Sequence, residues 1–600
     1  MSDQVVRIGG ASGFWGDAAR ATPQLLDVEG LDYIVYDYLA EITMSIMARA
    51  RAKDDARGYA TDFVTAAMQP NLQLLAERGI KVISNGGGVN PTACAAALRA
   101  AIQAQGLDLT VACVLGDDLM AEREALASQG IKEMFSNEDF PAPDKLLSIN
   151  AYLGAFPVAA ALAAGADIVV TGRCVDSAVT LGACIHAFGW GPDDLDRLAM
   201  GSLTGHILEC GPQATGGNFT DWEDVPDMAN IGYPVAEISA DGSFICTKPE
   251  GTGGLVSVGT VAEQMLYEIG DPQAYILPDV VCDFSTAQLA QVGEHRVQVT
   301  GATGRAAPDT LKVSATFFDQ FRGGTYMSFY GADAARKAQA LGEAVFEAAR
   351  KTLAGFGLPD FSATSIELLG TESQFGDFAQ SGDHREVVMK IAAKHADMAG
   401  IGILLKEAVG LGLATPPGLS GFAGSRPSPS PVVRLFSFTT ARDNLNVTVD
   451  LGDKTLECAD AGGSPLDTDA LPRAPAPVAA GETTTEVPLI ALAYGRSGDK
   501  GDKANVGIIA RKAEYLPWIW RALDVATVTA RFAHFLEDHG SGSVERFLLP
   551  GSNAVNFLLH DVLGGGGIAS IRNDPQGKGY AQILLACPIA VPAAIAEEVS

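Results

Sequence analysis

The sequence predicts an α/β protein with a mostly parallel sheet in its N-terminal unit, an added mixed α+β region, and a small C-terminal α+β domain. Over the first two hundred residues, short apolar runs alternate with helical patterns, as in a parallel sheet with helices on its faces. Between about residues 231 and 449, β-type stretches such as residues 311–319 and 432–439 lie between helices. The chain has 600 residues. Because a single core stops growing at about 250–300 residues, we expect at least two packing units.

The strands of the N-terminal unit are predicted at apolar runs that end in glycine or polar residues. These runs are residues 33–36, 81–85, 109–114 and 167–171. Helices are predicted over residues 40–51, over residues 61–78 with a kink or split at Pro70, and after Pro91. In a parallel sheet, ligands bind beyond the carboxyl ends of the strands. Those ends are residues 36–37, 84–86, 116–117 and 171–173.

Three segments are predicted along the chain. Residues 1–465 form the first α/β unit, with a possible subdivision near residue 230. Residues 466–487 have the Pro- and Thr-rich composition of a linker. Residues 488–600 form a compact domain. It is predicted as a strand, a Gly-rich loop, a helix, a strand at residues 525–529, a second helix and further strands near Phe557, Ile568 and Gln582.

Charge, cysteine usage and missing motifs argue against several classes of protein. The net charge of −30 repels phosphate backbones and anionic lipids, so we expect neither nucleic acid nor a membrane as a partner. The nine cysteines are scattered without a C-x-x-C pair, and no signal peptide or bilayer-spanning run is visible, so we expect a cytoplasmic protein. Fingerprints of P-loop NTPases, dinucleotide-binding dehydrogenases, α/β-hydrolases and zincins are absent from the sequence.

Two Gly-rich turns are candidate sites for an anionic group of a substrate. The turn that contains Ser12 follows a strand-like run, and its backbone N–H groups could face an anion; a tight turn that needs glycine for its geometry is the alternative. The second turn precedes a helix N-terminus, which favours negative charge, and a merely long turn is the alternative. Its substrate-binding candidates are Asn85, Gly86, Gly87, Gly88 and Asn90.

Arg173 and Asp176 follow another predicted strand. Arginine at a strand end suits bidentate recognition of a carboxylate or phosphate. Asp176 could orient Arg173 or act as a base. A structural ion pair that holds the turn is the alternative.

Four further residues are candidates for proton transfer. Asp37 and Glu41 are spaced i and i+4, which lets two carboxylates share a helix face and have different pKa values. The alternative is that Asp37 caps the helix and Glu41 is a solvated or paired charge near its start. His206 and Glu209 are spaced i and i+3 and could act as base and acid, or supply half of a metal site. We predict no metal, because two ligands without visible partners are a weak signal.

The C-terminal domain carries a dense run of charges and glycines after its first apolar strand. This run is typical of a recognition loop, and a solvated, salt-bridged turn is the alternative. Its substrate-binding candidates are Ser497, Asp499, Lys500, Asp502, Lys503 and Asn505.

Taken together, these motifs resemble the acyclic terpene utilisation family AtuA. The resemblance covers about residues 6–455, and residues 493–507 resemble the small AtuA-like domain, for which the family implies a ferredoxin-like fold. Cys174 departs from the aliphatic residue expected there. The resemblance implies a catabolic setting in which terpenoid alcohols and branched acids are degraded as CoA thioesters, with a hydratase or lyase step as the favoured assignment. It supplies no agreed catalytic residues. The stretches that carry it are residues 7–17, 37–45, 83–91, 169–176, 205–217, 254–268 and 275–279.

The leading hypothesis is therefore a hydratase or lyase that acts on a small organic acid or its CoA thioester by general acid/base catalysis. It needs no cofactor other than CoA as part of the substrate. The alternatives are a metal-dependent enzyme that uses His206 and Glu209, and a non-catalytic assembly partner. We expect a homo-oligomer on general grounds.

Overall fold

A computed structural model describes residues 4–380, 382, 384–421, 424, 427–536, 543–567 and 569–599 of the chain. Within this part, the largest sheet has eleven strands, and the five at its centre run parallel. In sheet order the five are Val5–Gly10, Tyr33–Tyr36, Lys81–Ser84, Ile168–Thr171 and Val111–Leu115. This arrangement confirms the predicted parallel sheet.

Antiparallel strands extend the parallel centre at both edges. Val235–Ser239 pairs with Val5–Gly10, so strands on both sides of residue 230 belong to one sheet. Thr448–Asp450 pairs with Val111–Leu115 at the other edge. The remaining strands of the sheet are Phe244–Thr247, Gln288–Gly293, Arg296–Thr300 and Thr455–Glu457. A small separate sheet is formed by Tyr275–Ile276, Val281–Asp283 and Thr303–Arg305.

Helices cover both faces of the parallel strands. Alternate residues of one strand point to opposite faces. Val35 accordingly packs in one apolar core and Ile34 in the other, both buried. The helices of this unit are Ala21–Leu26, Glu41–Arg51, Phe63–Met68, Leu72–Arg78, Pro91–Ala104, Arg123–Ala127, Phe156–Ala163, Ala178–Phe188, Leu195–Leu208 and Val258–Leu266. The break between Met68 and Leu72 confirms the split predicted at Pro70.

The second sheet is organised by one long strand, Thr310–Tyr330. Its first half lies between Ser430–Ala441 and Leu146–Ala151, and its second half pairs with Glu386–His395. Ala363–Leu369 and Leu419–Ser420 complete the sheet. Helices Ala334–Gly355 and Met398–Gly410 pack on it and form a separate apolar core. The mixed α+β region is therefore confirmed.

The C-terminal domain has a four-stranded antiparallel sheet with its own apolar core. In sheet order its strands are Ala493–Lys500, Lys503–Ala510, Ala554–Leu559 and Val544–Leu549. A second strand pair joins Thr485–Pro488 to Pro588–Val591. The helices are Leu489–Leu492, Leu516–Ala522, Val525–Arg531, Tyr580–Leu585 and Ala593–Glu598.

The strand predicted near Phe557 is confirmed as Ala554–Leu559, and Ile568 lies outside the described residues. Three expectations for this domain are wrong. Gln582 lies in helix Tyr580–Leu585 instead of a strand. Residues 525–529 form a helix instead of a strand, because the Asp524 side chain accepts a hydrogen bond from the Thr527 N–H (2.7 Å) and caps the helix N-terminus. The predicted Gly-rich loop after residue 493 is a β-hairpin, whose strands pair from Ala493 with Ala510 to Lys500 with Lys503. Among the described helices, none has the length and apolar character that a bilayer crossing requires.

Candidate functional site

The carboxyl ends of neighbouring parallel strands bring Ser12, Asp37 and Asn85 together. The Ser12 hydroxyl donates to the Asp37 carbonyl (2.8 Å), and the Asn85 side-chain amide donates to the Asp37 carboxylate. Asn85 Oδ1 accepts from the Tyr38 N–H at 2.8 Å. All three side chains are buried. Asn85 therefore fixes the orientation of Asp37 at the strand end.

Helix Leu195–Leu208 adds His206 and Glu209 to this edge of the sheet. His206 Nδ1 lies 2.8 Å from Glu209 Oε1, and His206 Nε2 lies 3.2 Å from the Met265 carbonyl oxygen. Both side chains are buried. Glu209 Oε2 is buried and has no hydrogen-bond partner among the described residues. This oxygen is thus an unused proton acceptor inside the protein.

Arg173 and Asp176 form an ion pair beside the same cluster. Arg173 Nη1 donates to Asp176 Oδ1 (2.7 Å) and to the Cys174 carbonyl (2.8 Å). The guanidinium lies 4.2 Å from the centroid of the Tyr152 ring, within the range of a cation–π contact. The backbone N–H of Arg173 donates to Asp117 Oδ2 at 2.7 Å. The arginine is therefore held from several sides in one orientation.

The electrostatics of the cluster favour neutral carboxyl groups. Burial, and then the charges of Asp176 and Glu209, raise the pKa of Asp37 well above its ordinary value, against the opposing effects of Asn85 and Arg173. Burial also raises the pKa of Glu209, which His206 opposes. Burial lowers the pKa of His206, but the charge and hydrogen bond of Glu209 outweigh it, so the net pKa is raised. His206 and Glu209 therefore act on each other's pKa in opposite directions.

Asp117 is a functional candidate that the sequence analysis left out. It follows the strand Val111–Leu115, is buried, and accepts hydrogen bonds from the Arg173 N–H and from Asn150 Nδ2 (2.8 Å). Burial raises its pKa to about 6. Because ligands bind beyond the carboxyl ends of parallel strands, the sequence pointed to residues 116–117, but it assigned them no role. A small cavity lies next to these groups, lined by Met44, Ser148, Asn150, Tyr152, Arg173, Ser314, Thr316 and Leu435.

The glycines of the second Gly-rich turn have packing roles. A Cβ on Gly87 would overlap the Thr171 carbonyl oxygen and Pro91, and a Cβ on Gly88 (φ +55°) would overlap the Met47 sulfur. The Gly86 N–H donates to Ser84 Oγ at 2.9 Å. Asn90 donates to two main-chain carbonyls, both at 2.8 Å. Close packing explains why glycine is needed at positions 87 and 88. A role in substrate binding stays a prediction for Gly86, Gly87, Gly88 and Asn90. Glu41 begins helix Glu41–Arg51, and its side chain lies outside the described residues.

The C-terminal hairpin approaches the cluster through Lys500. Lys500 Nζ lies 3.7 Å from Glu268 Oε2, and its charge lowers the pKa values of Glu209 and His206. Asp499 pairs with Lys578 at 3.1 Å. Lys503 Nζ lies 4.1 Å from the centroid of the Phe135 ring. Lys500 is the hairpin residue whose charge acts on the strand-end site.

The other predicted hairpin residues bind the protein itself. The Ser497 hydroxyl donates to the Lys578 carbonyl (3.1 Å). The Asp502 carboxylate accepts from the N–H groups of Leu563 (2.9 Å), Gly565 (2.9 Å) and Gly566 (3.2 Å). Asn505 bonds the main chain of Leu266 and Glu268. Their assignment to substrate binding stays a prediction, although the structure uses these groups for internal contacts.

The assembled groups are suited to moving protons near a carbonyl substrate. A buried Asp37 with a raised pKa is suited to donate a proton, and the His206–Glu209 pair is suited to accept one. In the part of the chain that the structure describes, no three His, Cys, Asp or Glu side chains are grouped as a metal site.

Comparison with known proteins identifies two matching family models. The model described as acyclic terpene utilisation family protein AtuA matches residues 6–451, and the model described as AtuA ferredoxin-like domain matches residues 487–590. No curated protein and no solved structure gives a significant match.

Proposed function

Since the chain belongs to the acyclic terpene utilisation AtuA family and carries its ferredoxin-like domain, we propose that it is a catabolic enzyme for a branched or acyclic organic acid or its CoA thioester. The observation that supports an enzyme is the buried cluster of Asp37, His206 and Glu209 beyond the ends of the parallel strands. Strongly perturbed carboxyl groups in such a position are typical of acid/base sites.

The proposed reaction is the reversible loss of water from a 3-hydroxyacyl substrate. Glu209 Oε2 takes the proton from the carbon next to the carbonyl group, and the electron pair of that C–H bond forms the new double bond. The C–O bond at the 3-position breaks, and Asp37 donates its proton to the leaving hydroxyl, which departs as water. Hydration reverses these steps.

Arg173 and Lys500 supply the positive charge for this chemistry. Arg173 counteracts the rise in the pKa of Asp37, and Lys500 counteracts the rise in the pKa of Glu209. Negative charge that develops on the substrate carbonyl oxygen would be stabilised by these fixed cations. In this proposal the C-terminal domain contributes to the site through Lys500. The proposal requires no resident cofactor, and we expect the enzyme to act as a cytoplasmic homo-oligomer.

The proposal is tested with Glu209→Gln and His206→Gln. Turnover of 3-hydroxy-3-methylbutyryl-CoA, and of the free acid, is followed by chromatography and mass spectrometry, which detect both dehydration and carbon–carbon cleavage. We expect each variant to lose about 100-fold or more in kcat, because general acid/base catalysis contributes roughly that factor. Cleavage products would indicate lyase chemistry at the same residues.

The matched control is Glu263→Gln, the same chemical change at a buried carboxyl group that binds Thr220 outside the cluster. Its kcat should stay within about twofold of the unmodified protein. Full activity in Glu209→Gln and His206→Gln would refute the proposed roles. Loss of activity on metal chelation with restoration by a divalent metal would favour the metal-dependent alternative instead.

A further inference from the structure

A pair of like charges faces each other across the second sheet. Arg322 in strand Thr310–Tyr330 lies directly opposite Lys394 in strand Glu386–His395. Side chains opposite each other in an antiparallel ladder share one face of the sheet, and like charges in this position are destabilising. Both side chains are half-buried. The pairing therefore costs free energy unless an anion lies between the two cations.

Arg49 adds a third cation from the N-terminal unit. It lies near the end of helix Glu41–Arg51, where its Nε donates to the Ser45 carbonyl (3.3 Å). Burial first, and then the charge of Arg49, lower the pKa of Arg322. Helix Glu41–Arg51 contacts strand Thr310–Tyr330, so the half-buried Arg49 acts on Arg322 at this contact.

The carboxylates near Lys394 act on it without forming an ion pair. Among the described residues, no Asp or Glu lies within salt-bridge distance of Arg49, Arg322 or Lys394. Burial lowers the pKa of Lys394, and the charge of Asp319 opposes this shift. Arg434 and Arg322 lower the pKa further, and Asp502 raises it. The chain has 72 acidic residues against 42 Lys and Arg. Half-buried cations without a carboxylate in salt-bridge distance are therefore unexpected in this chain.

The C-terminal domain borders Lys394 through Gly565. A Cβ added to Gly565 would lie 3.6 Å from Lys394 Nζ, so the Gly-rich turn of the C-terminal domain borders the cluster without a side chain. Arg322 Nη1 donates to the Ser570 carbonyl (2.7 Å), which fixes its guanidinium at the same border. The cluster thus lies where both N-terminal regions meet the C-terminal domain.

We propose that Arg49, Arg322 and Lys394 form a binding site for a phosphate group. Arginine and lysine together suit phosphate, because the guanidinium provides directed hydrogen bonds and the ammonium a concentrated charge. The phosphate comes either from the far end of the substrate or from a separate phosphate ligand. Only the first source rests on the function proposed above.

The geometry of helix Glu41–Arg51 favours a phosphate on an extended substrate. Ile42 and Ile46 are 42% and 38% exposed and share a helix face with Arg49, from which they are seven and three residues away. At about 1.5 Å per residue, Arg49 lies about 12 Å along the axis from the helix start near Asp37. The exposed side chains of Ile42 and Ile46 therefore lie between the helix start and Arg49 on one helix face.

The test measures binding without relying on turnover. Thermal unfolding of the full chain is followed with inorganic phosphate, adenosine 3′,5′-bisphosphate or acetate, at matched ionic strength. Phosphate-bearing ligands should raise Tm, since a ligand that binds the native state stabilises it. Lys394→Gln should keep or raise the Tm of the ligand-free protein and increase the Kd for phosphate at least tenfold. The control Lys406→Gln makes the same charge change at an exposed position of helix Met398–Gly410 and should leave the Kd unchanged.

The outcomes separate this proposal from the proposed function. An unchanged phosphate Kd in Lys394→Gln, or stabilisation by acetate equal to that by phosphate, would overturn the phosphate site even if the protein is an active enzyme. Binding of the bisphosphate at least tenfold tighter than phosphate identifies the phosphate as part of a larger ligand. Equal affinities identify a separate phosphate ligand. Both of these results support the site, whether or not the thioester is turned over.

Discussion

Several buried carboxyl groups hold protons at pH values where exposed ones are ionised. Burial raises the pKa of Asp117 to about 6 and that of Glu263 to about 7. Asp37 and Glu209 shift in the same direction. At the scale of single residues, this links the candidate site to stability, because a raised carboxyl pKa means that the folded state binds a proton that the unfolded chain releases.

Glu263 allows this link to be measured outside the site. Its folded pKa is raised from 4.5 to about 7, so unfolding releases a proton between these values and the free energy of unfolding falls as pH rises through this window. Glu263→Gln stays neutral and should show a smaller fall between pH 5 and pH 8. Urea denaturation at both pH values measures the difference. Equal falls in both proteins would contradict the raised pKa.

At the scale of elements, the Gly-rich turns connect strands to helices through close backbone contacts. Gly87 meets the end of strand Ile168–Thr171 and the start of helix Pro91–Ala104. These contacts set the position of Asn85, which in turn orients Asp37. The glycines therefore act on the site through packing.

Gly87→Ala should lower the free energy of unfolding by about 1–3 kcal/mol, because overpacking forces the backbone apart. The control Gly402→Ala lies in helix Met398–Gly410, where an added Cβ meets nothing within 4 Å. It should raise stability by up to about 1 kcal/mol through helix propensity. Chemical denaturation compares the two variants, and a neutral Gly87→Ala would show that the turn relaxes freely.

At the scale of the whole molecule, two buried asparagines join the C-terminal sheet to the N-terminal unit. Asn505 Nδ2 donates to the Leu266 carbonyl (2.6 Å), and its Oδ1 accepts from the Glu268 N–H (2.8 Å). Asn556 Nδ2 donates to the carbonyls of Ile269 (2.8 Å) and Gly270 (2.7 Å). This contact places Lys500 next to the strand-end site.

Asn556→Ala should destabilise the attachment of the C-terminal domain. The variant leaves buried carbonyl groups without donors, at a cost of about 1–3 kcal/mol for each. Calorimetry should show a lower Tm. The activity of the proposed enzyme should fall in proportion to the fraction of molecules in which the C-terminal domain is detached from the N-terminal unit. Unchanged Tm and activity would show that the asparagine contacts do not hold the domain.

The sequence by itself determined the features that depend on local patterns. Apolar runs that end in glycine or polar residues predicted the parallel strands, because a buried strand and its turn are encoded within about ten residues. The strand-end rule then placed Asp37, Asn85 and Arg173 at one edge. The resemblance identified the family and the fused domain, which the family matches confirm.

Only the tertiary structure decided which polar groups meet and which are used internally. His206 and Glu209 are spaced for contact on one helix, but their proximity to Asp37 depends on how that helix packs against the sheet. Asp502 and Asn505 have the sequence character of a recognition loop, yet they bind amides and carbonyls of distant segments. Arg322 and Lys394 are 72 positions apart and meet only through strand register. Contacts between distant segments depend on packing and register, which local sequence patterns do not specify.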